Sequence, residues 1–305
     1  MAGKQPPRSE REELDSFFTE LESRTEVREI AGWESGFPNL SRSLNGILPG
    51  LYLLVGPPSC GKTAFAKQLC DQIALHNSVP VIFFTFAETK KDLRIRTLAR
   101  LSGLESREIR RGSSFLLHWY GTPKRRGTDP ERMSPSWEKL KRVAEEAGNW
   151  FDLLYLFEGN QKTNLTEIEE EIRRVKEIKG AKQAMVVIDD SQRLGRCDLP
   201  LDARLPLVTE ELQGLAVHLQ VPLLATWPDL RGEGYSHGSS PQEWAERVAS
   251  ADVVLVMEND AERTKKLTEP NRAIALHIVK NRGGEKGVVS SDFSPPFSKF
   301  TEVAS

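Results

Sequence analysis

The clearest chemistry in this sequence lies in eight consecutive residues, 56–63, which read GPPSCGKT. They match the pattern G-x-x-x-x-G-K-[ST] at every fixed position. Glycines allow the backbone to wrap a polyphosphate, and successive N–H groups then point inward at the anion. The lysine adds a point charge at the outer phosphates, and the threonine hydroxyl is a ligand for Mg²⁺. The segment therefore predicts a loop that binds ATP with Mg²⁺.

The two prolines of this loop restrict which residues meet the phosphates. Pro57 and Pro58 have no N–H group to offer an anion. We therefore expect the contacts to fall on the next five residues, Ser59, Cys60, Gly61, Lys62 and Thr63. The setting suits this role, because the apolar run 51–55 predicts a buried strand before the loop. A helix is predicted from Lys62, and its N-terminus adds the positive end of its dipole.

Two carboxylates further along the chain complete the predicted chemistry. Residues 184–188 form an apolar strand that ends at Asp189, which we expect to hold the metal opposite Thr63. The adjacent Asp190 is predicted to face a loop. Glu88 follows another predicted strand and is our candidate for polarising the attacking water. The alternative for Glu88 is an acid in the first turn of a helix, where it complements the dipole.

Strand and helix patterns alternate along the chain and position these residues. Apolar runs predict strands at 51–55 and 79–86, within 150–157, and at 184–188, 221–226, 251–257, 273–279 and 287–291. Helical periodicity predicts helices at 62–76, 89–102, 164–178 and 205–219. Such alternation is typical of an α/β fold with a mostly parallel sheet and helices on both faces. The last strands follow one another without a helix, which predicts an antiparallel edge.

Composition excludes several classes of protein. The 305 residues are 38% apolar and 28% charged, with a net charge of -2, which excludes a collagen-like chain and a strongly basic nucleic-acid coat. No apolar run is long enough to span a bilayer, and the first residues lack the core of a secretory signal. Three cysteines without paired spacing favour a reducing cytoplasm and argue against a zinc site.

Two segments fall outside the regular alternation. Residues 1–31 are expected to form a polar tail and a short helix near 9–24, whose apolar face packs either on its own core or on a neighbouring subunit. Residues 112–135, rich in glycine, proline and basic side chains, predict an insertion or long loop. That loop is either merely solvated or contacts an anionic partner.

Taken together, these motifs resemble the RecA-like motor domain of DnaB-type replicative helicases, in the wider group that includes KaiC. The resemblance covers most of residues 32–302, within an expected ATPase domain at 32–305, and includes the phosphate loop, 80–89 and 187–192. It implies a RecA-like P-loop ATPase that assembles as a ring or filament, with a hexamer favoured. It also implies coupling of ATP turnover to single-stranded DNA.

The tail of the chain carries the most particular part of the resemblance. Residues 278–287 read IVKNRGGEKG. In DnaB-like proteins this strand bears a lysine and an arginine that project into the neighbouring subunit's ATP site. The resemblance therefore implies that Lys280 and Arg282 act in trans on the transferring phosphoryl group. The alternative is a basic strand edge that deters aggregation.

Four departures from the family pattern affect the expected activity. Ala87 stands where the family usually has its catalytic glutamate, with Glu88 one residue later, so hydrolysis is expected to be slow or to depend on Glu88. The family's glutamine sensor is replaced near Trp227 and Pro228, and Asp190 replaces an aromatic residue. Only about thirty residues precede the motor, so we expect the primase-engaging N-terminal domain to be missing.

Nucleic-acid binding depends mainly on the resemblance. The loops that line a central channel in the family carry Arg193, Arg196 and Arg231 here, although acids lie among them. Three functions remain open: a DnaB-like ATPase acting on DNA, a KaiC-like regulatory ATPase with a protein partner, and a small-molecule kinase. The kinase is the weakest, because it gives Lys280 and Arg282 no role.

Overall fold

The computed structural model describes residues 29–112, 135–194, 199–229 and 240–303, together with residues 11, 14, 18 and 19. The predicted insertion at 112–135 lies almost wholly outside the described residues, and so does most of the predicted helix at 9–24. Within that helix, Leu14 and Phe18 are helical and are 44% and 56% exposed. In the described part of the chain, no helix is long and apolar enough to cross a membrane.

A single sheet of nine strands runs through the described residues, in the order β3-β2-β4-β5-β1-β6-β7-β8-β9. The strands are β1 Gly50–Gly56, β2 Val81–Thr85, β3 Leu154–Glu158, β4 Met185–Asp189, β5 Pro222–Pro228, β6 Val253–Asn259, β7 Arg272–Asn281, β8 Gly287–Ser294 and β9 Lys299–Glu302. The first six are parallel, and β7 to β9 form an antiparallel edge. The fold is therefore the predicted α/β arrangement.

Helices cover both faces of this sheet. They are α1 Pro38–Leu44, α2 Lys62–Asn77, α3 Lys90–Ser102, α4 Ser106–Arg111, α5 Pro135–Glu146, α6 Leu165–Lys179, α7 Leu201–Leu219, α8 Glu243–Arg247 and α9 Ala261–Thr264. Short 3₁₀ turns lie at Gly148–Leu153, Ser191–Arg193 and Pro295–Phe297.

The strand patterns explain why two cores form. Alternate residues of a strand face opposite sides, and every residue of β1 is buried. Tyr52 and Leu54 pack with the side chains of α1, α2 and α3. Leu51 and Leu53 pack with those of α6 and α7 on the other face. The carboxyl ends of the parallel strands consequently meet at one edge, where ligands bind in open α/β sheets.

The strands and helices predicted between residues 51 and 291 are present, although the strand predicted within 150–157 begins only at Leu154, after a 3₁₀ turn at Gly148–Leu153. Helix α7 begins at Leu201, four residues before the predicted start, and contains Pro206. A proline normally signals a helix start, but here it is tolerated in the second turn. Strand β9 and the short helices α1 and α4 are too brief to show a periodic pattern.

Candidate functional site

The phosphate loop connects β1 to α2 at the carboxyl edge of the sheet, and its backbone is unusual. Ser59 and Gly61 have φ values of 61° and 105°. A Cβ atom at position 61 would lie 3.0 Å from ring atoms of both Phe293 and Phe300. Glycine is therefore required at 61 for the backbone angle and for the close approach of these rings. The C-terminal strands thus support the loop from outside.

Lys62 is the first residue of α2 and lies over the loop's own backbone. Its Nζ donates to the carbonyl oxygens of Gly56 at 2.7 Å and Pro57 at 2.9 Å. The Cys60 amide also donates within the loop, to the Pro57 oxygen at 3.3 Å. The ammonium is consequently placed where an anion held by the loop amides would meet it.

The structure brings the two predicted metal ligands together across 126 positions of sequence. Thr63 Oγ1 donates to Asp189 Oδ2 at 2.8 Å, and Thr226 Oγ1 donates to Asp189 Oδ1 at 2.6 Å. Asp189 is only 2% exposed, and this burial raises its pKa. A hydroxyl beside a carboxylate is a donor set that suits Mg²⁺, a hard cation that prefers oxygen ligands.

Asp190 occupies a different environment from Asp189. Its Oδ2 accepts from the Gln192 side-chain amide, and its Oδ1 is buried with no hydrogen-bond partner among the described residues. Burial raises the pKa of Asp190 to about 6. The side chain is therefore held by the turn after β4 rather than directed at Thr63.

Glu88 lies at the same edge, just after β2, and is held by an arginine from α3. Arg96 Nε donates to Glu88 Oε2 at 2.8 Å, and Arg96 Nη2 contacts Oε1. The third nitrogen, Arg96 Nη1, donates to Ser298 Oγ at 3.1 Å. Thr89 is the N-cap of α3 and forms a capping box with Asp92. The Glu88 carboxylate is thus directed at Arg96 rather than at the helix amides.

A cleft of 640 Å³ adjoins Arg96 and contains more arginine and proline. Its lining includes Arg96, Ser106, Arg107, Arg110, Pro295 and Ser298. Each of the three arginines has an acidic partner, namely Glu88, Glu105 and Asp92. Because each arginine is paired with an acid, the cleft carries no large net positive charge. Its walls present guanidinium groups and proline rings.

Strand β5 ends beside the loop without an amide side chain. Trp227 is 2% exposed and packs into the core with α6 and α7, and Pro228 pairs with Gly56 of β1. The glutamine sensor of the family thus has no counterpart at these two positions.

Lys280 and Arg282 lie at the opposite edge of the sheet from the phosphate loop. Strand β7 runs antiparallel to β6, so Lys280 pairs with Val254 near the start of β6. Lys280 Nζ donates to the Ala249 oxygen at 2.6 Å, and Arg282 pairs with Asp252 at 2.9 Å while 64% of its side chain is exposed. Eight strand residues span about 27 Å, so neither side chain reaches its own subunit's loop.

The predicted nucleic-acid residues are only partly within the described chain. Arg193 lies in the turn after β4, and its Nη1 donates to the Phe86 oxygen at 3.0 Å. Arg196 and Arg231 lie outside the described residues.

Sequence reasoning missed two arginines at the site. Arg96 follows Glu88 by eight residues, but Glu88 precedes the Thr89 N-cap of α3, so no helical spacing links the two in sequence. Arg272 begins β7 and donates from Nη1 to the Ser59 oxygen at 3.2 Å. No local pattern links residues 213 positions apart, so only the fold could reveal this contact.

The family model for the DnaB-like helicase C terminal domain matches residues 32–121 and 124–302. The replicative DNA helicase DnaB of Pasteurella multocida is 28% identical over 295 residues, which cover 93% of this chain and 58% of that protein. The replicative DNA helicase DnaC of Bacillus subtilis is 26% identical over 284 residues, 90% of this chain and 57% of that one. The chain therefore spans less than two thirds of the length of these curated relatives.

Solved structures agree on the fold. One of them, described as an ATPase domain, superposes with a TM-score of 0.76 at 22% identity, covering 98% of this chain and all of that one. A DnaB-like replicative helicase, solved in a study of its interactions with primase, gives a TM-score of 0.75 at 22% identity, covering 97% of this chain and 69% of that one. The RecA-like architecture, the phosphate loop and the family match lead to one assignment: the chain belongs to the DnaB-like helicase C-terminal domain family.

Proposed function

We propose that this chain is an ATP-hydrolysing motor domain that uses Mg²⁺ and couples nucleotide turnover to single-stranded DNA in a ring or filament, with a hexamer favoured. The observation that carries the proposal is the 2.8 Å hydrogen bond between Thr63 and Asp189. It joins the end of the phosphate loop to the acid at the end of β4, which is the pairing that a magnesium nucleotide requires.

The residues of the loop bind and orient the substrate in this proposal. The amides of residues 59–63 and the Lys62 ammonium hold the phosphate chain. Thr63 and Asp189 hold Mg²⁺, which neutralises negative charge on the phosphates. The balanced cleft beside Arg96 receives the uncharged nucleoside, because guanidinium and proline faces pack against a planar ring.

Glu88 is the carboxylate that accepts a proton from, or orients, the attacking water. Both of its oxygens already accept hydrogen bonds from Arg96. The pair fixes the carboxylate beside Asp189 but leaves fewer lone pairs for water. Together with Ala87, this arrangement supports slow turnover.

Lys280 and Arg282 serve the neighbouring subunit in the proposed assembly. Their position at the far edge of the sheet supports this role, because a cation offsets phosphoryl charge only at close range. The alternative of a protective basic edge is weaker, since both side chains have specific partners in Ala249 and Asp252.

Single-stranded DNA is the proposed polymer partner, contacted by Arg193, Arg196 and Arg231. Arginines on loops at one edge of a ring subunit track backbone phosphates without reading sequence. Of these three, Arg193 lies within the described residues, where its Nη1 also donates to the Phe86 oxygen.

A KaiC-like regulatory ATPase is the second candidate, and one observation favours it. The site combines an arginine-bound Glu88 with Ala87 and with Pro228 in place of a sensor amide. Such a site binds nucleotide well and turns it over slowly, which suits nucleotide-dependent assembly with a protein partner. The third candidate, a small-molecule kinase, does not fit the family assignment.

Mass measurement in solution, combined with phosphate release, tests the proposal. We expect the chain to assemble with ATP and Mg²⁺, and poly-dT to bind in a salt-dependent way and to stimulate phosphate release. Assembly and binding of ATP without any response to poly-dT at low salt would support the regulator instead. A chain that stays monomeric and releases no phosphate under all conditions would contradict both functions.

A further inference from the structure

Arg272 stands beside the phosphate loop with unused hydrogen-bonding capacity. One of its nitrogens donates to the Ser59 oxygen at 3.2 Å, and its guanidinium carbon lies 6.0 Å from the centre of the Phe293 ring. A guanidinium has five N–H donors. Within the described part of the chain, Arg272 forms no ion pair with any carboxylate.

The loop itself is short of donors for an anion. Pro57 and Pro58 supply none, and the Cys60 amide already donates to the Pro57 oxygen. Arg272, a cation beside the same loop, can supply the missing hydrogen-bond donors. Arginine binds phosphate oxygens with two parallel hydrogen bonds.

Strand β7 places Arg272 at the correct edge for this role. Arg272 is the first residue of β7, opposite Phe293 of β8, and the strand begins where β6 ends. The carboxyl end of β6 lies at the same edge as the phosphate loop. Lys280 and Arg282, at the other end of β7, are on the far edge.

We propose that Arg272 is a nucleotide-binding residue of its own subunit that contacts the phosphate chain and supplies donors that the prolines lack. This inference rests on the proposed function, because it places a nucleotide in the loop. Strand β7 then serves two sites, with Arg272 acting in cis and the Lys280–Arg282 pair acting on the next subunit.

Titration with a fluorescent ATP analogue and Mg²⁺ tests the role of Arg272. Arg272→Ala is expected to weaken binding about tenfold, since a hydrogen bond to a charged group is lost. Arg272→Lys keeps the charge without the planar fork and is expected to fall between wild type and Arg272→Ala. Lys265→Ala, which removes an exposed cation on the neighbouring segment, is the matched control and should bind like wild type. Arg272→Ala within about twofold of wild type would overturn the proposal.

Competition with inorganic tripolyphosphate identifies the part of the nucleotide that is contacted. The proposal expects Arg272→Ala to weaken tripolyphosphate and the ATP analogue by the same factor. Weakening of the analogue alone would place the contact on the nucleoside and overturn the assignment. Wild type and Arg272→Ala are expected to have the same thermal unfolding temperature without nucleotide. If Arg272→Ala does not fold, Arg272→Lys takes its place in both titrations.

Lys62→Ala separates this inference from the function on which it rests. If Lys62→Ala loses binding while Arg272→Ala binds like wild type, the phosphate loop stands and only the role of Arg272 fails. If Lys62→Ala binds like wild type, the proposed function fails first.

Discussion

Thr63 and Asp189 show how far single residues can be predicted at this site. The loop motif predicts Thr63 as a metal ligand, and an acid at the end of an apolar strand is the expected second ligand. The structure places these two side chains 2.8 Å apart, while their role in holding a metal stays a prediction. Arg96 and Arg272 could not be predicted from the sequence, because their partners come from other elements and no local spacing marks them. The roles of Glu88, Lys280 and Arg282 in catalysis stay predictions.

Glu88→Gln tests catalysis at the scale of one side chain. A glutamine cannot accept a proton from water, so we expect phosphate release to fall roughly 10²- to 10⁴-fold. Binding of the fluorescent ATP analogue should stay close to wild type, because the Glu88 carboxylate is held by Arg96 of α3 and not by the proposed phosphate-binding residues 59–63. Single-turnover phosphate release measures the first effect and the titration measures the second. Normal release from Glu88→Gln would show that another group activates the water.

At the scale of elements, a buried charge cluster joins α2 to α3 behind the phosphate loop. Asp71 Oδ1 accepts from Lys67, and its Oδ2 accepts from Arg100 and from Thr97 at 2.7 Å. Lys67 and Asp71 are 1% and 3% exposed. Burial alone would raise the pKa of Asp71, but the charges of Lys67 and Arg100 outweigh it and the pKa is lowered.

Asp71→Asn is expected to destabilise the fold by about 3 kcal/mol, because two cations then lack their shared partner. Urea denaturation measures this change in the free energy of unfolding. Glu262→Gln, which breaks the exposed pair with Lys265, is the matched control and should change stability by at most about 0.5 kcal/mol. Equal losses in the free energy of unfolding for the two variants would show that the buried cluster stabilises the fold no more than the exposed pair does.

The difference in unfolding free energy between wild type and Asp71→Asn is also expected to depend on pH, in a direction set by the pKa shift of Asp71. A carboxyl whose pKa is lowered on folding stabilises the protein above its ordinary pKa of 3.8, and that contribution is lost as the pH falls through the lower folded value. We therefore expect the stability difference between wild type and Asp71→Asn to narrow as the pH falls below 3.8. A difference that widens in acid would contradict the direction of the shift.

Elements were predictable where their patterns are long. The buried strands β1 and β4 read as continuous apolar runs, and α6 as an amphipathic helix, because burial on two faces or on one face leaves a distinct period. Strand β9 has four residues and pairs with β8 at the end of the described sheet, so its formation depends on the sheet edge already being present. Tertiary pairing, not local pattern, defines such elements.

At the scale of the whole molecule, one subunit holds the phosphate loop and the proposed trans cations on opposite edges of its sheet. The sequence indicates Lys280 and Arg282 only through family resemblance. It cannot show which group they contact, because that group would lie on another copy of the chain. The proposed trans role of these cations therefore requires two copies of the chain for a complete site. The exposed apolar side chains Leu14 and Phe18 belong to the predicted helix whose packing partner is either the chain's own core or a neighbour.

Mixing two inactive variants tests the shared site. Lys62→Ala has a defective phosphate loop but an intact Arg282. Arg282→Ala has an intact phosphate loop but lacks the cation proposed to act in the neighbouring subunit's site. In mixed assemblies, some interfaces join an intact loop to an intact Arg282, so part of the ATPase activity should return. The rate of phosphate release at several mixing ratios measures this rescue. No rescue at any ratio, together with a monomeric mass, would contradict a site shared between subunits.

The central claim is that residues 59–63 and Asp189 hold a magnesium nucleotide, and calorimetric titration with a non-hydrolysable ATP analogue tests it most directly. The account predicts that wild type binds more tightly with Mg²⁺ than with EDTA. It predicts that Lys62→Ala loses binding and that Asp189→Asn loses the advantage given by Mg²⁺. Binding by Lys62→Ala that equals wild type, or an unchanged response of Asp189→Asn to Mg²⁺, would contradict the account.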